Sequence, residues 1–213
     1  MENTLALASL IAGILSLACL LVLHFVSPEF KASWRMVSEY AFGKHKWLLT
    51  AFFFLWGLSS ILLAISLWGI VSSNWAKIGV VLLFISGIGA IMGGLFDAKH
   101  KLHGLSAVLG VPFLPIAALL ISYRLPSTGY WSEYRSSVLL SAHSTWISIV
   151  LMVVTMIIMM SGFKKAGMPM GPDATPPESV PPGVIAVAGY ANRILVFTYI
   201  LWLLLIAKIL LGL

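Results

Sequence analysis

Asp97, His100 and His103 stand at three-residue intervals in the segment FDAKHKLHG, and Ser38 and Glu39 stand beside one another in SWRMVSEYAFGKHKW. Carboxylates and imidazoles hold metals and move protons, so three kinds of chemistry are open to them. As a metal site, Asp97 and His100 suit adjacent positions on one helical face. His103 is rotated by about 120° from Asp97 on an ideal helix, and a loop or helix end must bring it round. His24 or Glu39 could add a ligand from another segment, and zinc accepts such a mixture, although the spacing is not H-E-x-x-H. Haem asks for two histidines facing one another from different helices, and His24 with His103 is the pair that suits it. The third possibility is a polar pocket, catalytic or ligand-binding, in which Glu39 and Asp97 act beside neutral imidazoles.

A plainer reading stands next to these. Loop residues flanking membrane helices are often charged because they are wet, and lysines snorkel to headgroups. That reading suits Lys31, Arg35, Lys44, Lys46, Lys99 and Lys101, and His45 between two lysines. Ser38 and Glu39 could form a local cap. Arg193 is either an interfacial anchor or, leaning inward, a partner for Glu39 or Asp97. His143 in LLSAHSTW lies at the other end of the helices, about 20 Å or more away, and is excluded from any shared site. It reads as a hydrogen-bonded residue between helices.

The elements that must position these groups are membrane helices. Sixty per cent of the residues are hydrophobic, the mean hydropathy is +1.02 and only 9% are charged, a composition far from that of a soluble domain. A spanning helix needs about 20 apolar residues. Six segments qualify, at about 4–26, 47–71, 78–95, 105–123, 138–162 and 192–213. The expected fold is therefore all-α, a polytopic bundle of six transmembrane helices in one domain. The first segment lacks a basic start and a cleavage pattern and reads as a retained helix. Pro112 and Pro115 predict a kink in the fourth helix. GIGAIMGG in the third predicts a close helix–helix approach. The stretch 163–189 is rich in Pro and Gly and reads as a mobile loop. The single cysteine, Cys19, excludes an intrachain disulfide and reads as a small buried hydrophobe.

Six spans put both termini on one face and the first, third and fifth loops on the other. Ser38, Glu39, Asp97, His103 and Arg193 then share the odd-loop face as candidate pocket residues, while His24, Asp97, His100 and His103 form the alternative metal set. Of the 13 Lys and Arg, nine lie on the odd-loop face and four (Lys77, Arg124, Arg135, Lys208) on the terminal face. Positive-inside bias puts the odd loops in the cytoplasm. A net charge of +6 spread over short loops suits anionic headgroups, and no basic tract for nucleic acid is present.

The segments HFVSPEF, VSEYAFGKHKWLLTAFFFLWG, FDAKHKLHGLSAVLG and GYANRILVFTYILWLLLIAKIL, in that order, resemble the bacterial six-helix membrane proteins catalogued as a domain of unknown function, number nine-nine-eight. The resemblance covers nearly the whole chain. It implies a six-helix fold in a cell membrane, the inner membrane of a bacterium, and carries the family's polar positions onto Ser38, Glu39, Asp97, His103 and Arg193. It names no activity, and it implies the opposite orientation to the charge count. Three functions stay open. One is binding of a lipid headgroup or other amphiphile at the polar face, a second is metal-assisted hydrolysis within the membrane, and a third is a structural role beside a membrane protein partner.

Overall fold

Helical backbone satisfies its own hydrogen bonds in lipid, and runs of apolar residues this long leave the chain no other way to cross. The computed structural model describes residues 2–97, 100–125, 130–169 and 179–212. The helices are α1 (Glu2–Val26), α2 (Lys46–Trp68), α3 (Asn74–Leu95), α4 (His103–Gly110), α5 (Phe113–Ser122), the single turn α6 (Tyr130–Glu133), α7 (Arg135–Lys165) and α8 (Ala188–Leu210). With α4 and α5 counted as one broken span, six helices are long and apolar enough to cross a membrane. They pack as a ring in chain order, and α8 closes it against α1. Trp56, Tyr199, Trp202 and Leu203 lie in the shared core.

Several spans run past the apolar segments that announce them. α7 starts at Arg135 and ends at Lys165, and α8 starts at Ala188 rather than near 192. At about 1.5 Å per residue, α7 is roughly 46 Å long and outreaches a hydrocarbon core of about 30 Å. Its charged ends can therefore reach the headgroups. α8 gains its extra turn because its first residues are packed against the first loop. Within 163–189, α7 takes the first three residues and 170–178 lie outside the described residues. Val180, Val184 and Ala186 pack on a small cluster of Trp34, Met159, Phe163 and Ala188.

Small residues set the closest approaches, since lipid offers no hydrophobic drive between helices. A Cβ on Gly57 of α2 would lie 2.4 Å from the Gly87 carbonyl oxygen of α3. A Cβ on Gly89 would lie 2.4 Å from the Gly110 nitrogen of α4. Ser9 and Ser59 each donate a hydrogen bond to the other's carbonyl, at 2.8 Å, and clasp α1 to α2.

The break between α4 and α5 has a specific cause. Pro115 lacks the N–H that would bond the carbonyl of Val111, four residues back. The Tyr199 hydroxyl of α8 donates to that carbonyl instead, at 2.6 Å. Pro112 takes the cap position of α5, so the kink falls where the two prolines place it.

Candidate functional site

The first loop folds as a short 3-10 helix, Val37–Phe42. Glu39 organises its start: one carboxylate oxygen accepts the Met36 N–H at 2.6 Å, and the other accepts Arg35 Nη1 at 2.7 Å. The loop is then fastened to the first turns of α8. Val37 donates its N–H to Asn192 Oδ1 at 2.9 Å, and Tyr190 donates to the Ser33 carbonyl at 3.2 Å. Gly189 sits so close that a Cβ there would meet the Ala32 carbonyl oxygen at 2.5 Å and the Trp34 nitrogen at 2.6 Å.

Arg193 completes the fastening. Its Nε donates to His24 Nε2 at 2.7 Å, and Nη1 donates to the carbonyls of Arg35 at 2.6 Å and Gly189 at 2.9 Å. Nη2 reaches the Tyr40 hydroxyl at 3.3 Å. Because His24 accepts at Nε2, its ring proton is on Nδ1, which donates to the Leu20 carbonyl. One guanidinium thus ties α1, the first loop and α8 together.

Behind the 3-10 helix lies a cavity of about 130 Å³ between α2, α3, α4 and α8. Its apolar lining includes Phe53, Val111, Leu195 and Val196. Its polar lining is Ser38, His103, Ser106 and Asn192, and Trp56 also lines it. Several of these polar groups have hydrogen-bonding capacity left. His103 Nδ1 lies 2.9 Å from the Phe96 carbonyl, which can only accept, so Nδ1 carries a proton and Nε2 of the neutral ring is an open acceptor. Ser106 donates to the His103 carbonyl at 2.7 Å and keeps its lone pairs. Asn192 Nδ2 makes a long contact, 3.4 Å, to the Met152 sulfur. Trp56 is buried, and its indole N–H has no acceptor among the described residues. No charged side chain of the described residues lines the cavity.

Of the pocket residues expected from sequence, Ser38 and His103 meet at this cavity. Glu39, Asp97 and Arg193 do not line it. Glu39 is engaged by Arg35, Asp97 pairs with Lys46 at 2.9 Å, and Arg193 bonds neutral acceptors rather than a carboxylate. The alternative metal set is not assembled as one ligand group. His24 faces Arg193, His100 stacks on Phe96 and accepts the Leu102 N–H, and His103 turns to the Phe96 carbonyl. Among the described residues, no three His, Cys, Asp or Glu side chains come together as a metal would require. The facing histidine pair that haem needs is not formed by His24 and His103, since His24 Nε2 is taken by Arg193.

A family model described as a protein of unknown function, DUF998, matches residues 10–208. The chain belongs to the DUF998 family. No curated protein and no solved structure matches it. In this DUF998 protein the Asn-Arg opening of the last helix secures the first loop, with Asn192 and Arg193 holding it over the cavity. Four participants escaped sequence reasoning. Trp56 and Ser106 look like ordinary core residues, Tyr40 like a loop aromatic, and Gly189 like any helix-end glycine. Only the short GYANR run, with glycine three residues before the amide, carries a signal that a backbone docks there.

Proposed function

We propose that this membrane protein binds a membrane amphiphile, taking an uncharged polar portion of it, a hydroxyl or ester group, into the cavity beneath the first loop. The observation that carries this reading is the lining: neutral polar groups of Ser38, His103, Ser106 and Asn192, the last three with hydrogen-bonding capacity left, share the cavity with apolar Phe53, Leu195 and Val196. A charged phosphate would find no cation among those lining residues. Cavities of about 150 Å³ accept a benzene-sized group, so about 130 Å³ suits part of an amphiphile rather than a whole lipid. Its membrane is a cell membrane, in a bacterium the inner one. Helical spans support this, since outer-membrane spans are β-barrels. The excess of Lys and Arg supports odd loops in the cytoplasm.

Gly93 provides the test. It lines the cavity, and a Cβ there would meet only the Phe53 ring, at 3.6 Å, an ordinary contact. Gly93→Leu should fill the space while leaving the thermal transition in detergent nearly unchanged. Native mass spectrometry of protein purified from its membrane should show an amphiphile on the parent chain and little on the variant. Equal retention by both, or none by the parent, would overturn the proposal.

A further inference from the structure

A second polar group lies at the other end of the helices, where the terminal face meets lipid. Trp146 Nε1 donates to His143 Nδ1 at 2.9 Å, and His143 Nε2 lies 2.9 Å from the Tyr123 hydroxyl oxygen. The direction of this chain is fixed by chemistry. An indole N–H can only donate, so Nδ1 must be the bare nitrogen, and the proton of the neutral imidazole is on Nε2. Nε2 therefore donates to the tyrosine oxygen. The hydroxyl hydrogen of Tyr123 is left without an acceptor among the described residues.

Tyr123 directly follows α5, at the end of the fourth span, and is 51% exposed; Trp146 is 41% exposed. Tyr123 follows the last residue of the fourth span, a position suited to the membrane edge, where an unused donor can meet the acceptor oxygens of lipids. Exposed Ile116 lies seven residues before Tyr123, on the same face of α5. Exposed Ile147 and Val150 follow His143 by four and seven residues on α7. An apolar strip thus leads from the hydroxyl into the hydrocarbon layer.

From this geometry we infer that Tyr123, His143 and Trp146 form a lipid-binding site on the terminal face, distinct from the cavity under the first loop. Tyr123 donates to an acceptor oxygen of a membrane lipid, either an ester carbonyl or a phosphate oxygen, with an acyl chain along Ile116 and Ile147. His143 is a positioning residue: it holds the tyrosine oxygen as an acceptor and so turns its hydrogen outward. Trp146 fixes the tautomer that makes this possible.

Full-length protein in nanodiscs of phosphatidylglycerol, released into detergent and weighed intact by native mass spectrometry, tests the site. Tyr123→Phe keeps the ring and removes the donor, and the occupancy of one retained lipid should fall about three- to tenfold. Trp146→Phe leaves Tyr123 in place but frees Nδ1. The imidazole proton can then move there, Nε2 can accept the tyrosine hydrogen, and lipid retention should fall as well. Nitrogen NMR should show the His143 proton on Nε2 in the parent chain and shifted towards Nδ1 in that variant. In nanodiscs of the diether analogue, loss of retention by the parent assigns the acceptor to the ester carbonyl, and full retention assigns it to the phosphate. Unchanged retention in Tyr123→Phe, or a His143 proton on Nδ1 in the parent, would overturn the inference. Neither variant touches the Gly93 cavity, so failure here is separable from failure of the amphiphile proposal.

Discussion

Replacing Arg193 with alanine removes one side chain and loosens three elements at once. The guanidinium makes three hydrogen bonds between 2.6 and 2.9 Å, to His24 Nε2 and to the carbonyls of Arg35 and Gly189. The fourth, 3.3 Å to Tyr40, is too long to weigh much. Hydrogen bonds to a charged group are worth about 1.5–3 kcal/mol each when well buried. Arg193 and His24 are only partly buried, so about 1 kcal/mol apiece is the better figure, and Arg193→Ala should cost about 3 kcal/mol. For a chain of this length that is a fall of about 6–12 °C in the midpoint of thermal unfolding, measured in detergent by loss of near-UV signal. Arg193→Lys should recover little, because one ammonium cannot span acceptors on three elements as a planar fork does. Double-mutant cycles isolate the cause. Arg193→Ala with His24→Ala should show coupling of about 1 kcal/mol, whereas Arg193→Ala with Asp97→Asn should be additive within about 0.5 kcal/mol. No coupling to His24, together with clear coupling to Asp97, would refute this account of the clasp.

Tyr199→Phe should cost about 1–3 kcal/mol by orphaning the Val111 carbonyl, and adding Pro115→Ala, which restores a helical N–H to that carbonyl, should shrink the penalty in the same melting assay. Gly89→Ala should destabilise by about 1–3 kcal/mol through overlap with the α4 backbone, while Gly104→Ala, with nothing within 4 Å of the new methyl, should change stability by less than about 0.5 kcal/mol. Reporter fusions after Lys77 and after Leu213 should report the same side of the membrane, and opposite sides would break the six-span architecture.

Hydropathy alone made the six spans legible, because nothing except a membrane accommodates so many apolar runs. Their ends were less legible. Counting apolar residues stops at Val138 and Gly162 for the fifth span and at Asn192 for the sixth, but α7 continues out to Arg135 and Lys165, and α8 back to Ala188, through residues whose side chains or backbone find partners or water. The kink was readable in Pro112 and Pro115, whereas its partner Tyr199 was not, being 88 residues from the carbonyl it serves. At the site, Ser38 and His103 could be placed on one face by helix counting. The engagement of Glu39 and Asp97 was harder to foresee, since nearby Arg35 and Lys46 claim them before Arg193 can. Arg193 itself binds two backbone carbonyls, and a carbonyl leaves no mark in a sequence.

The clasp between the first loop and α8 joins groups 158 and 169 residues apart. During synthesis at about 5–20 residues per second, the loop waits about 8–30 s for its partner. Through that interval α1 and α2 can already be inserted, but Val37 lacks Asn192, and the carbonyl of Arg35 has no guanidinium. The roof of the cavity is thus completed only after α8 has left the ribosome. A chain arrested before Ala188 should carry a first loop open to protease, and release of the last helix should close it. The cavity is in this way left without its roof until α8 has been made.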